Sequence, residues 1–447
     1  MINQNKQIDK SFFKICQKNK SGYSNSFLKI NNFIVENKMN SIKDFEEWLA
    51  LNPFFISKSD FDKLNNIFSE FSKFIKVLHK KVGVDEFQNL LNFSNQEKEL
   101  YEVDINLKTK DPIPLMRFDL VFEKDKPYLV EINTNCPNGY GGSEYVYFCY
   151  DNYLNVSQLK NNYKLTEVYP DKMVSKKILE NSDKNSNILI LNIAQKRDAI
   201  FIEEVKYFTE KYLKPKHKNV YFANIDELGF KDKKCYYKNN KIDTVHRIFD
   251  LDDLLKHPKK KQFIECYKNK SFKMVNPFIS SMFGEKSLLA LIYNGCFDKY
   301  FKDQKQAKII KSIITPSYIF KGIGFNKIKN KILNNKNNYV FKKSVSSRAE
   351  QIYIGQNINK KEWTDLIKNK VNNRWMVQKK ISIDKYKFLS FREGHLKEFE
   401  KIADFLPFVI DDKIVGVFSR ISNSLITNFA RGGAWVNLTY IYDKRKN

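Results

Sequence analysis

No apolar run in the 447-residue chain approaches the roughly 18 residues that a membrane-spanning helix needs. The opening MINQNKQIDK also lacks the apolar stretch of a signal peptide. Both absences lead to the expectation of a cytoplasmic protein. Cysteine is sparse: Cys16, Cys136, Cys149, Cys235, Cys266 and Cys296 are scattered, with no pair at the two-residue spacing of zinc knuckles or redox motifs. Reduced thiols are expected rather than a disulfide framework. The five histidines include no i,i+4 pair and no HExxH arrangement, which excludes the common zinc-enzyme signature. Glycine is missing where a dinucleotide fingerprint would need it, after the apolar run that starts at Asn187, so no NAD site is read there. No internal repeat and no low-complexity linker interrupts the chain.

What the chain does have is positive charge, with 78 Lys and Arg against 51 Asp and Glu for a net +27. Clustered cations gain counterion-release free energy on a phosphate backbone. Here the excess is mostly lysine spread along the whole chain, and runs such as KHPKKK (Lys256, Lys259, Lys260, Lys261) and KPKHK (Lys214, Lys216, Lys218) read as solvated loops. That distribution argues against nucleic acid as the partner. Hydrophobic residues make up 42% and aromatics 15%, enough to build real cores and to exclude a mainly disordered chain. The length exceeds the roughly 250 to 300 residues at which one core stops growing, so two or three packed subdomains are expected.

The first hundred residues read as helical. SIKDFEEWLALN and KSDFDKLNNIFSEFSKFIKVLHKKV carry apolar residues at intervals of three and four, with Ser41 and Ser59 placed as N-caps. From Leu115 the period changes to two: MRFDLVFEKDKPYLVEINTN alternates on both sides of Lys124-Asp125-Lys126-Pro127, the pattern of a hairpin. A second unit starts near Leu165, where NILILNIA (187–194) suits a buried parallel strand, residues 198–212 suit a helix and NVYFANIDEL (219–228) suits another strand before KIDTVHRIFD (241–250). That order suggests a small doubly wound unit. A third region, from Asn276, holds a helix at SLLALIY, strands at NYVFKKS and RWMVQKKIS, a hairpin at LPFVIDDKIVGVFSRIS around Asp411-Asp412, and the closing RGGAWVNL.

The chemistry concentrates at Arg117, Asp119, Glu131 and Asn133. Alternate residues of a strand share a face, so Arg117 lies with Asp119 and Glu131 with Asn133. If the two strands pair, all four converge. Two carboxylates and an amide oxygen are the hard ligands that hold Mg²⁺ when phosphates complete its shell, and an arginine beside them suits a phosphoryl or acyl-phosphate oxygen. An ordinary exposed hairpin is the competing reading. The apolar flank of Tyr128, Leu129, Val130 and Ile132, followed by Gly139, Gly141 and Gly142, favours the functional one.

The segment MRFDLVFEKDKPYLVEINTNCP resembles the magnesium-binding signature of circularly permuted ATP-grasp enzymes, of which glutathionylspermidine synthetase is the best-known type. An Arg-x-Asp precedes a Glu-x-Asn, as in that signature. DTVHRIF, VNPFISSMFGEKSLLALI, YVFKKS, WMVQKKIS and VGVFSRISNSLITNFARGG resemble the same family in the same order, so the likeness runs over roughly residues 115–437. The acidic hairpin precedes Lys286 and Lys342, the order expected of a permuted chain. The resemblance implies an α+β, circularly permuted ATP-grasp fold with a small doubly wound α/β subdomain and a helical N-terminal region. It divides the chain into a helical region (1–110), a metal-binding hairpin (111–160), a Rossmann-like subdomain (161–275) and nucleotide-binding subdomains (276–447).

The resemblance further implies ATP and two Mg²⁺ as cofactors, with Asp119, Glu131 and Asn133 as metal ligands, and Arg117 and Arg420 as catalytic cations. Lys286 and Lys342 would contact the phosphates. Gln378 would mark a hinge where backbone groups of residues 376–379 meet adenine. Where the family has a glycine-rich phosphate loop, this chain has VSSRAEQIYIG, so Ser346, Ser347 and Arg348 are candidate replacements for backbone donors. Cys136 and Arg431-Gly432-Gly433 are candidate substrate contacts. The implied activity is an ATP-dependent carboxylate-amine ligase acting through an acyl phosphate, with a small-molecule or peptide carboxylate and an amine as co-substrates. Two alternatives stay open: a catalytically silent relative that binds nucleotide or peptide, suggested by the glycine-poor loop, and a basic nucleic-acid-binding protein.

Overall fold

The computed structural model describes residues 6–19, 22, 25, 28, 29, 32, 50, 52–141, 143–193, 199–320, 325–344, 351–369, 374–392, 395–427 and 435–445. Ser41, Gly142, Ser346, Ser347, Arg348, Arg431, Gly432 and Gly433 lie outside the described residues.

A nine-stranded sheet forms the largest layer. Its main path runs Phe54–Ser57, Trp435–Lys444, Lys413–Ser422, Leu406–Ile410, Met116–Glu123 and Lys126–Asn133. The first of these corrects the purely helical reading of the first hundred residues. The short run FFIS pairs in parallel with the C-terminal strand, Phe54 opposite Thr439 and Ile56 opposite Ile441. A four-residue apolar run has no period that separates strand from helix, and only a partner almost four hundred residues away decides it.

The helix Lys58–Lys81 follows at once, and its N-cap is Ser57 rather than Ser59, with the Ser57 hydroxyl accepting from the Asp60 amide at 3.1 Å. Its apolar stripe of Phe61, Leu64, Phe68, Phe71, Phe74, Ile75 and Leu78 is buried, as the spacing of three and four predicts. Phe68 and Phe71 sit on Phe118, with ring centroids 4.6 and 5.4 Å apart. The helix therefore packs behind the strand that carries Arg117 and Asp119. Helices Val84–Leu91 and Asn95–Asn106 complete this layer.

A second, parallel sheet has the order Lys273–Val275, Thr244–Arg247, Ile188–Asn192, Val220–Asn224. Ile188–Asn192 is buried along its length, which explains its uninterrupted apolar sequence. A three-stranded meander, Gly229–Lys231, Lys234–Tyr237 and Asn240–Lys241, is inserted before Thr244–Arg247, a feature the sequence reading did not include. A third sheet is antiparallel, ordered Ser317–Ile319, Trp375–Lys379, Tyr339–Lys343, Ile352–Ile354. Among the described residues no helix is long and apolar enough to cross a membrane.

Candidate functional site

Two-residue turn chemistry builds the acidic hairpin. Lys124 and Asp125 both take positive φ (51° and 62°), the geometry that matches the twist of paired strands. Their amides donate to the Asp384 carboxylate at 2.9 and 3.1 Å. The register sets Arg117 opposite Asn133 and Asp119 opposite Glu131, with a bulge after Asp119. All four side chains therefore share one face. Arg117 and Asp119 are buried, while Glu131 and Asn133 are partly exposed at its rim.

Asp119 is clamped by two arginines. Arg117 donates through Nε to Oδ1 (2.8 Å) and through Nη2 to Oδ2 (3.0 Å), and Arg420 Nη2 donates to the same Oδ2 at 3.1 Å. Burial pushes the Asp119 carboxyl up, but the charges of Arg117 and Arg420 outweigh it and hold the group below the usual carboxylate range. Arg117 also donates to the Asn138 carbonyl at 2.8 Å. Arg420 is fixed by Asp404, whose carboxylate accepts from the Arg420 amide and from Nε, each at 2.8 Å, and from the Thr427 hydroxyl.

Two lysines come in from other elements. Lys286, at the N-cap of the short helix Ser287–Tyr293, is 4% exposed, and its Nζ lies 3.0 Å from Glu131 Oε1. It is not an ordinary exposed helix lysine. Lys342 leaves the strand Tyr339–Lys343 and donates to Gln378 Oε1 at 2.8 Å, while Gln378 Nε2 donates to Ser317 Oγ at 3.1 Å. Among the described residues Lys342 makes no ion pair. Desolvation, with Lys286 adding to it, pushes its ammonium down to about 8 against the opposing pull of Glu131 and Asp119. Four cations thus meet three carboxylates, Asp119, Glu131 and Asp404, and the excess positive charge suits a phosphorylated anion.

Two features bear on the metal and adenine expectations. Three guanidinium N–H groups, two from Arg117 and one from Arg420, contact the Asp119 oxygens; the local period places Asp119 on that face but says nothing of the arginine arriving from residue 420. Glu131 and Asn133 offer hard oxygen donors that fit a divalent cation: one Glu131 oxygen pairs with Lys286 and both side chains are partly exposed at the rim. The second feature concerns the hinge. Met376, Val377 and Gln378 are laddered on both sides, to Ser317–Ile319 and to residues 340–342.

Cys136 is buried, and its thiol lies 3.5 Å from Asp250 Oδ1. Burial, with Asp250 adding to it, pushes the thiol well up, which suits a packing residue rather than a thiolate. Several participants carried no local signal. Asp404 precedes Arg420 by sixteen residues with no periodic link between them. Arg247, inside the DTVHRIF segment, is fully buried and donates to the carbonyls of Asn276 (2.7 Å) and Asn135 (2.8 Å). It ties the end of the acidic hairpin to the C-terminal edge of the parallel sheet, the edge at which open α/β sheets bind ligands.

No family model matches the sequence, and no curated protein matches it. Solved structures do. A glutathione synthetase-like effector from Globodera pallida in its apo form is similar over 93% of this chain and 96% of its own, with a TM-score of 0.60 at 12% identity. A γ-glutamylcysteine synthetase-like protein from Methylobacillus flagellatus is similar over 76% of this chain and 82% of its own, at a TM-score of 0.42 and 12% identity. A D-alanyl-alanine synthetase A from Vibrio cholerae covers 59% of this chain and 89% of its own, with a TM-score of 0.29 and 9% identity. Only the first is similar enough to carry an argument, and at that identity the argument is about fold. The chain shares with that effector a mixed α/β arrangement of several sheets, similar to ATP-grasp-type folds.

Proposed function

We propose that the chain is an ATP-dependent carboxylate-amine ligase with a circularly permuted ATP-grasp core related to glutathionylspermidine synthetase. The observation that carries this reading is the convergence of Arg117, Arg420, Lys286 and Lys342 above the acidic hairpin, on a fold shared with a glutathione synthetase-like protein over nearly the whole chain.

Lys286 and Lys342 bind the nucleotide phosphates as point charges. Glu131 and Asn133 are the residues that would hold Mg²⁺, which when bound neutralises phosphate charge and orients the transferred group. Arg117, fixed by Asp119, faces the carboxylate to be activated and stabilises negative oxygen as the acyl phosphate forms and as the amine attacks it. Arg420, held rigid by Asp404, steadies the phosphate that leaves. Phe118 and Ile132, buried on the opposite face of the hairpin, anchor the strands that carry these groups. The acid and amine enter between residues 134–141 and the C-terminal edge of the parallel sheet.

The test is ADP formation over a panel of amino acids and short peptides as acids, each with and without an amine. The ligase reading expects ADP only with matched acid and amine. A second reading, nucleotide binding without turnover, is favoured by the arginine clamp on Asp119. It expects saturable ATP binding and no ADP with any pair. Absence of ATP binding contradicts both.

A further inference from the structure

A second set of charges lies beside the cationic cluster and uses none of the residues assigned to ligand above. Arg374 immediately precedes the strand Trp375–Lys379. Its Nη1 and Nη2 donate to Glu97 Oε2 and Oε1 at 2.7 and 3.0 Å, and Nη2 also donates to Glu285 Oε1 at 3.1 Å. Glu97 is the N3 residue of helix Asn95–Asn106, where its carboxylate completes a capping box with the amide and hydroxyl of Ser94, both at 2.7 Å. On the other side, Glu285 Oε2 accepts from the Ser344 hydroxyl at 2.9 Å. Ser344 in turn accepts at its carbonyl from the Lys286 amide (3.2 Å) and at Oγ from the Ser287 amide (3.1 Å). Four segments distant in sequence meet here, and the last link is the backbone of the lysine that faces Glu131.

Stability alone is a poor reason for such a network. A buried Glu-Arg-Glu triad recovers little more than its desolvation cost, and well-packed apolar side chains often replace one without loss. Burial even pushes the Glu285 carboxyl up to about 7, against the pull of Arg374. What such an ionic network does specify is position. The helix Ser287–Tyr293 has seven residues and cannot fix its own start, so where Lys286 points depends on how residues 285–287 are held.

We propose that Arg374 is a positioning residue of the ligand site: by joining Glu97 to Glu285 it sets Lys286 against Glu131 and makes the N-terminal helical layer part of the site. The inference rests on the ligase reading for what Lys286 contacts, and on geometry alone for how Lys286 is held. The backbone bond from the Ser344 amide to the Arg374 carbonyl (2.6 Å) survives a side-chain change, so Arg374→Met removes the charge link and leaves the strand pairing.

The experiment is trace acetylation of the full chain with acetic anhydride, read lysine by lysine by mass spectrometry, in the native protein and in Arg374→Met. Lys177, buried and held by Asp111 and Asp411 at 2.7 Å each, reports general loosening. The expected result is a rise of about tenfold at Lys286 with Lys177 unchanged, a local opening rather than global unfolding. Glu97→Gln keeps the side-chain shape and should give the same pattern at smaller size, so it decides the matter if Arg374→Met does not fold. No change at Lys286, or equal rises at both lysines, overturns the proposal. Where the native protein binds ATP, the affinity losses of Arg374→Met and Lys286→Met should combine to no more than that of Lys286→Met alone, since both act through one contact; additive losses also overturn it. If the native protein binds no ATP, the ligase reading fails while the acetylation result still decides the role of Arg374.

Discussion

Lys342 gives an outcome that runs against ordinary expectation: removing it should stabilise the protein without ligand. Its ammonium is half-buried, it donates to the neutral oxygen of Gln378, and burial lowers its pKa from 10.5 to about 8. That difference corresponds to a penalty of about 3 kcal/mol at pH 7 for carrying the charge in the folded state. In Lys342→Met the penalty disappears, while the orphaned Gln378 oxygen costs about 1 to 3 kcal/mol. The net at pH 7 is a small gain, but the pH dependence isolates the charge. Below about 8 both states of the native protein are protonated and stability is flat. Between about 8 and 10.5 the unfolded chain holds the proton and the folded one does not, so native stability rises with pH. The advantage of the variant should therefore shrink by about 3 kcal/mol across that window. Urea unfolding of both proteins at pH 7, 8, 9 and 10 reads this directly, because the titration of the other lysines cancels in the comparison. A difference that stays flat from pH 7 to 10 refutes the reasoning, whatever its sign.

Asp119→Asn should cost about 3 kcal/mol at pH 7, since it leaves the buried Arg117 guanidinium without its carboxylate; urea unfolding checks it, and a loss below about 1 kcal/mol contradicts the clamp. The native contribution of Asp119 should persist down to acid pH and fade only as pH falls through its depressed folded-state pKa. Magnesium should add to the thermal stabilisation by ATP in the native protein and add nothing in a Glu131→Ala, Asn133→Ala double variant, while metal-free ATP still stabilises both. Equal magnesium effects in the two proteins would remove Glu131 and Asn133 from the metal site. Iodoacetamide should alkylate Cys136 far more slowly in the folded protein than after unfolding, because burial raises its thiol pKa; equal rates would show an accessible, reactive thiol.

The acidic hairpin was legible because strand alternation is a local signal. Period two places Arg117, Asp119, Glu131 and Asn133 on one face without any knowledge of the rest of the chain, and positive-φ residues at Lys124 and Asp125 close the turn. The long helix was legible for the same reason, apart from a two-residue error in its cap. What was not legible depends on distance along the chain. Arg374 reaches Glu285 across 89 residues and Glu97 across 277, and Phe54–Ser57 becomes a strand only through its pairing with Trp435–Lys444. The arginine clamp on Asp119 is the telling case. The sequence places an acid on this surface, and Arg420, 301 residues away, joins Arg117 in pairing with it.

Isothermal titration of the native protein with ATP in the presence of Mg²⁺ tests the central claim most directly. The cationic cluster predicts saturable binding of about one nucleotide per chain, lost in a Lys286→Met, Lys342→Met double variant that remains folded. Absence of binding up to millimolar ATP, or binding of equal strength in the double variant, would contradict the assignment of this cluster as a nucleotide site.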